Sequence, residues 1–106
     1  MAEHDAVWLH TQRQVTIVEL AECAGVNETV VRELVELGAL SPADEQGAEW
    51  VFSADCVASL RSAVRLSSDL ELETPAMALA FSLLDRIRHL EDELRHVRAQ
   101  LVAPRR

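Results

Sequence analysis

The sequence contains no lysine, and it holds only three glycines, three prolines and 4 % aromatic residues. This profile favours helices over sheets. Hydrophobic residues make up 49 % of the 106 residues, which is enough for a packed core. Because so short a chain buries a modest fraction of its surface, a partner subunit would help to stabilise it. We therefore expect one small, mostly helical domain over residues 1–106.

Long uncharged runs are also missing. The longest, from Thr74 to Leu84, is about half the length that a membrane-spanning helix needs. The first ten residues carry Glu3 and Asp5 and lack the basic segment of a secretory signal. We therefore expect a cytoplasmic protein.

The patterns of familiar catalytic and metal sites are absent as well. No serine stands in a nucleophile elbow, and no glycine-rich loop could cradle a phosphate. Cys23 and Cys56 lie far apart without a CxxC pair, so we expect two small buried apolar side chains rather than a disulfide or a zinc site. His89 and His96 lack a third ligand at matching spacing. These absences predict no enzymatic activity, no cofactor and no metal.

The charge is distributed unevenly along the chain. The first 60 residues hold 11 carboxylates and two arginines, a net charge of −9. The other 46 residues hold seven carboxylates and eight arginines, a net charge of +1. The net charge of −8 therefore belongs to the first half, and that half is expected to repel a polyanion and to attract a basic surface.

Two short helices are predicted next to each other. Thr16 and Glu19 match a capping box, and an apolar face follows them until Gly25. Asn27 is a favourable N-cap for a second helix that stops at Gly38. The apolar face of that second helix comprises Val30, Val31, Leu34, Val35 and Leu37. The pair predicts a helix-turn-helix.

A small wing and a third helix are predicted next. The polar stretch after Gly38 runs into the strand-like residues Trp50 to Phe52, which predicts a wing hairpin. Ser53 could then cap a third helix that ends around residues 67–72. We assign residues 15–66 to this winged-helix part.

The C-terminal helix is predicted over residues 74–103, because Thr74 and Pro75 form a strong helix start and no breaker follows before Pro104. Its leucine-rich stripe has the 4-3 spacing of a coiled-coil seam, flanked by Glu91 and Arg95 at i, i+4. The stripe comprises Leu83, Ile87, Leu90, Leu94, Val97 and Leu101. It pairs with a second chain or packs back on its own domain, and we favour the homodimer, because a long exposed apolar seam is an aggregation risk in a monomer.

Two segments carry a family resemblance. ELAECAGVNETVVRELVELGALSP, followed by a short hairpin and further helices, resembles the MerR-type winged helix-turn-helix regulators. The longer segment WVFSADCVASLRSAVRLSSDLELETPAMALAFSLLDRIRHLEDEL is similar to the chaperone-modulator family CbpM. This resemblance implies a protein that binds the J-domain of a DnaJ-like co-chaperone, CbpA, and blocks its stimulation of the DnaK ATPase.

The charges separate this interpretation from the alternative, a MerR-like DNA-binding transcription regulator. DNA-binding winged helices neutralise phosphates with basic residues of the recognition helix and wing, and here those elements offer Arg32 alone. The resemblance implies a partner with a positively charged second helix, so we expect the carboxylates of this face to contact it and no binding to nucleic acid. The predicted partner-binding residues are Glu28, Glu33, Glu36, Asp44, Glu45 and Glu49.

Overall fold

The structure is a computed structural model that describes residues 13–43 and 49–101. Within these ranges the elements are β1 (Gln14–Thr16), α1 (Ile17–Ala24), α2 (Glu28–Glu36), β2 (Val51–Ser53), α3 (Cys56–Leu70) and α4 (Thr74–Leu101). This confirms the predicted fold class, which is mostly helical with a small antiparallel two-stranded element and a long C-terminal helix. The predicted limits of the two parts, residues 15–66 and 74–103, stay predictions.

The first helix begins and ends as its sequence predicts. The Thr16 hydroxyl accepts a hydrogen bond from the Glu19 amide at 3.1 Å, and the Glu19 carboxylate accepts one from the Thr16 amide at 2.8 Å. Gly25 ends the helix at φ 84°, a left-handed conformation that costs glycine little. Its amide donates to the Ala21 carbonyl at 2.9 Å.

The second helix has the predicted start, and it stops before Gly38 as predicted, with Gly38 in a left-handed conformation at φ 82°. The Asn27 side chain accepts from the Val30 amide at 3.1 Å, which caps the helix. Val31 and Leu34 are fully buried. The prediction that Leu37 belongs to the apolar face is wrong, because the helix ends at Glu36 and leaves the Leu37 side chain 52 % exposed.

The two strands come from distant parts of the chain. β1 pairs antiparallel with β2, with Val15 opposite Phe52. The sequence predicts no strand at Gln14–Thr16, since three residues are too few to show an alternating pattern. The Ala43 amide donates to the Val51 carbonyl at 2.7 Å, which joins the two ends of the wing segment.

The third helix starts later than predicted. It begins at Cys56, with Asp55 at the N-cap position but without a side-chain capping bond. Ser53 does not cap it directly, because its hydroxyl accepts from the Asp55 amide, at 3.2 Å, in the turn before the helix. The prediction of two buried cysteines is also wrong, since Cys23 is exposed and Cys56 is only half-buried.

One hydrophobic core joins all of these elements. Its fully buried side chains include Leu20 of α1, Leu34 of α2, Phe52 of β2 and Leu60 of α3. The first part of α4 closes the core with Met77, Ala78 and Phe81. The Arg88 guanidinium donates to the Ser59 hydroxyl at 3.2 Å, which ties α4 to α3 near the last of these contacts.

The rest of α4 extends away from the core. Every residue from Arg86 to Leu101 is exposed. The 13 residues after Arg88 extend roughly 20 Å at ~1.5 Å per residue. The radius of gyration is accordingly 15.9 Å, against about 13 Å for a compact domain of this length. In the part of the chain that is described, no helix is both long and apolar enough to cross a membrane.

Candidate partner-binding surfaces

The exposed side of α2 carries most of the predicted acidic face. Glu28, Glu33 and Glu36 are all exposed, because the apolar residues between them turn the opposite side of the helix toward the core. Glu49 is also exposed. Asp44 and Glu45 lie outside the described residues. Four of the six predicted residues therefore lie on the surface of the helix-turn-helix half.

The basic residue of this face, Arg32, is held by two neighbours. Its guanidinium lies 3.8 Å from the Glu28 carboxylate, and its Cζ atom lies 5.5 Å from the centroid of the Trp50 ring. Trp50 packs edge-on against the buried ring of Phe52, at 6.4 Å between centroids. Sequence reasoning missed this arrangement, since 18 positions separate Arg32 from Trp50 and no local pattern connects them.

A hollow of about 300 Å³ lies between the start of α1, the side of α2 and Trp50. Glu28 and Glu49 both line it, so the structure brings together two of the predicted acidic residues. The other lining residues are Thr16, Ile17, Val18, Arg32 and Trp50.

These contacts bear on nucleic-acid binding. In a winged helix that binds DNA, the second helix of the helix-turn-helix enters the major groove. Here that helix exposes three carboxylates, and its arginine already contacts Glu28 and Trp50. Arg61, from α3, is also engaged, because its guanidinium donates to the Cys23 carbonyl at the end of α1 at 3.1 Å. A phosphate backbone approaching this side meets net negative charge.

The predicted seam lies on the side of α4 away from the core. Its six residues, Leu83, Ile87, Leu90, Leu94, Val97 and Leu101, are 48–74 % exposed. At 100° per residue their mean direction is roughly opposite to that of Met77, Ala78 and Phe81. The stripe therefore does not pack back on its own domain. The expected Glu91–Arg95 pair is replaced by an ion pair between Arg95 and Asp92.

A second hollow, of about 260 Å³, lies where α4 leaves the core, beside Cys56, Asp85 and His89. Burial raises the pKa of the Cys56 thiol to about 11, and the nearby Asp85 carboxylate acts in the same direction. The thiol is therefore protonated at neutral pH and is a poor nucleophile. The His89 ring lies 3.6 Å from the Asp85 carboxylate. Among the described residues, no three histidine, cysteine or acidic side chains are placed to hold a metal ion.

Known proteins resemble the chain along most of its length. The family model of the MerR HTH family regulatory proteins matches residues 15–99. The chaperone modulatory proteins CbpM of Escherichia coli O1:K1 and of the E. coli strains S88 and E24377A are each 37 % identical to it over 86 residues. Those matches cover 81 % of this chain and 85 % of each relative. With its helix-turn-helix, its small antiparallel sheet and its long C-terminal helix, the chain belongs to the CbpM family of MerR-like helix-turn-helix proteins.

Proposed function

We propose that this protein is a chaperone modulator that binds the J-domain of a DnaJ-like co-chaperone of the CbpA type and inhibits it by occupying that domain. The relatives are named chaperone modulatory proteins, which supports the general role. The observation that carries the J-domain assignment is the acidic side of α2, whose arginine is held by Glu28 and Trp50. Such a face complements a partner with a positively charged helix.

The proposed mechanism needs binding alone. A J-domain covered by this protein cannot stimulate its DnaK partner, so inhibition follows from occupancy and no bond is made or broken. The proposal accordingly assigns no enzymatic activity, cofactor or metal, and it places the protein in the cytoplasm, where the co-chaperone acts. The protonated Cys56 thiol is consistent with a role in packing.

The proposed active form is a homodimer held by the stripe of α4. Six apolar side chains at 4-3 spacing point away from the core, and the second half of the helix extends free of its own domain. Monomeric proteins rarely expose a contiguous apolar surface of this kind. Two copies that pack stripe against stripe would bury it in one symmetric interface.

Surface plasmon resonance against the J-domain of the co-chaperone from the same organism tests the proposal. We expect saturable binding, together with loss of J-domain-stimulated DnaK ATPase activity when the protein is added. A parallel gel-shift with duplex DNA tests the MerR-like alternative, and no retardation is expected at physiological salt. Specific retardation at sub-micromolar protein with no J-domain binding would establish the alternative instead.

A further inference from the structure

The hollow between α1, α2 and Trp50 combines apolar and charged walls. Ile17 and Val18 form one wall, and the Val18 side chain is 47 % exposed. The half-buried indole of Trp50 forms another. The volume of the hollow, about 300 Å³, is at the lower limit of pockets that enclose small molecules, about 300–1,000 Å³. The hollow therefore suits a single long side chain better than a larger ligand.

The position of Arg32 indicates which kind of chemical group the hollow can bind. Its guanidinium lies over the Trp50 ring and beside the Glu28 carboxylate, at 5.5 Å and 3.8 Å. An aromatic face next to a carboxylate is a favourable environment for a planar cation. The protein's own arginine thus uses one of the two carboxylates of the hollow.

The second carboxylate, Glu49, forms no salt bridge with any residue that the structure describes. Among the residues that the structure describes, Glu28 and Glu49 set against Arg32 leave the hollow with one uncompensated negative charge. One additional cation would neutralise it. The aliphatic part of a lysine or arginine side chain could lie along Val18 and the indole, because such stems pack well on apolar surface.

We propose that this hollow receives one arginine or lysine side chain of the protein partner, with its cation against Glu49 and its stem along Val18 and Trp50. This rests on the proposed function and specifies where the basic partner is anchored. Glu33 and Glu36 then attract the partner at a distance, whereas Glu49 contacts it. The hollow contributes to the lifetime of the complex, and the surrounding charge contributes to the rate of association.

Replacing one carboxylate at a time distinguishes a residue that contacts the partner from residues elsewhere on the surface. Glu49→Gln tests the hollow, and Glu22→Gln and Glu73→Gln are controls that remove the same charge from exposed positions outside it and outside the predicted binding face. By surface plasmon resonance with the J-domain, we expect Glu49→Gln to weaken binding about ten-fold or more, mainly through faster dissociation. Each control should change the affinity by about two-fold or less. Circular dichroism checks that all three variants keep the wild-type fold.

A double-mutant cycle then identifies the incoming side chain. Each arginine and lysine of the J-domain is replaced by alanine in turn, and one replacement should reduce the effect of Glu49→Gln to about two-fold or less. If the wild type binds and Glu49→Gln behaves like the two controls, the hollow is not the anchor and the proposed function stands. If the wild type does not bind the J-domain, the proposed function and the anchor both fail.

Discussion

The exposed side of α2 and the extended half of α4 belong to amphipathic helices, yet they leave different faces in contact with solvent. α2 places Val31 and Leu34 in the core and presents carboxylates outward. The second half of α4 has no core to cover, so its apolar stripe is exposed between acidic residues and arginines. Under the proposed function, the first surface would act through charge, whereas the second would act through the burial of apolar area.

This difference separates two kinds of association. Attraction between charges is screened by salt, with a screening length of about 10 Å at 0.1 M and about 3 Å at 1 M ionic strength. Burial of apolar side chains does not weaken in this way. Recognition of a basic partner and pairing of two copies can therefore be perturbed independently, and the following substitutions exploit that independence.

The largest effect is expected when a leucine of the core is replaced by alanine, in comparison with the same replacement in the stripe of α4. Leu60→Ala should lower the free energy of unfolding by about 2–5 kcal/mol, because Leu60 is fully buried in the core. Leu94→Ala should lower it by about 0.5 kcal/mol or less in a monomeric chain, since that side chain is half exposed. Urea unfolding of both variants in a Leu90→Asp background measures the contrast, and equal losses would refute it.

A charge in the stripe should disrupt the dimer. Leu94→Asp places a carboxylate where two copies are expected to meet, and burying it without a partner is costly, so we expect monomers. Ala99→Asp adds the same charge to the opposite face of the helix and should leave the dimer intact. Sedimentation velocity of the three proteins reports the result. A wild type that sediments as a monomer at micromolar concentration argues against the paired stripe.

Reversal of the acidic face should slow association with the J-domain. Two triple variants, Glu28→Lys/Glu33→Lys/Glu36→Lys and Asp44→Lys/Glu45→Lys/Glu49→Lys, replace a favourable field with an unfavourable one. We expect each to lower the association rate about ten-fold or more at low salt, with a smaller difference at 1 M. Single reversals away from the hollow should have little effect, because exposed ion pairs contribute about 0–1 kcal/mol. If neither salt nor charge reversal changes the association rate, the acidic face does not contribute to binding and is simply exposed to solvent.

Removal of a helix cap should have a moderate effect that is confined to the helix-turn-helix half. Asn27→Ala eliminates the 3.1 Å bond to the Val30 amide, and about 1 kcal/mol of stability should be lost. Asn27→Gly should lower the stability by only a few tenths of a kcal/mol. Thr29→Ala, at an exposed position within the same helix, is the control and should not destabilise the protein. Thermal unfolding ranks the three variants, and a different order would contradict the capping role.

The last effect is expected only at alkaline pH. The pKa of Cys56 is raised from 9.0 to about 11 in the folded protein, so the folded state favours the neutral thiol. This stabilisation is complete below pH 9 and should be lost progressively between pH 9 and about 11. The sequence has no lysine or tyrosine to titrate in that interval, so a Cys23→Ser background isolates the signal. Urea unfolding across this range should show the decline, and Cys56→Ala should remove it.

Several features of the fold could be predicted from short stretches of sequence. Thr16 with Glu19, Asn27 with Val30, and Gly25 lie within hydrogen-bonding reach of their partners along the chain, so residue type alone indicates where helices begin and end. The length of α4 and the exposed stripe on it follow from the same kind of local periodicity. The acidic character of α2 was likewise predictable, because it depends on composition.

The features that sequence analysis missed depend on distant residues. The strand at Gln14–Thr16 exists through pairing with Val51–Ser53. The later start of α3 is a local exception, because it follows from a turn in which the Ser53 hydroxyl accepts from the Asp55 amide two residues later. The exposure of Cys23 reflects which face of α1 meets the rest of the core, and that of Leu37 reflects where α2 ends. Such outcomes require the arrangement of all elements to be known.

The sequence by itself determined the starts of α1, α2 and α4, the extended C-terminal helix and the excess of carboxylates in the first half, because each depends on neighbours within about one helical turn or on composition. Only the tertiary structure placed Arg32 against Trp50 and brought Glu49 beside Glu28. The physical reason is that these side chains lie on separate elements, and packing of the shared core around Leu20, Leu34 and Phe52 fixes the distances between them.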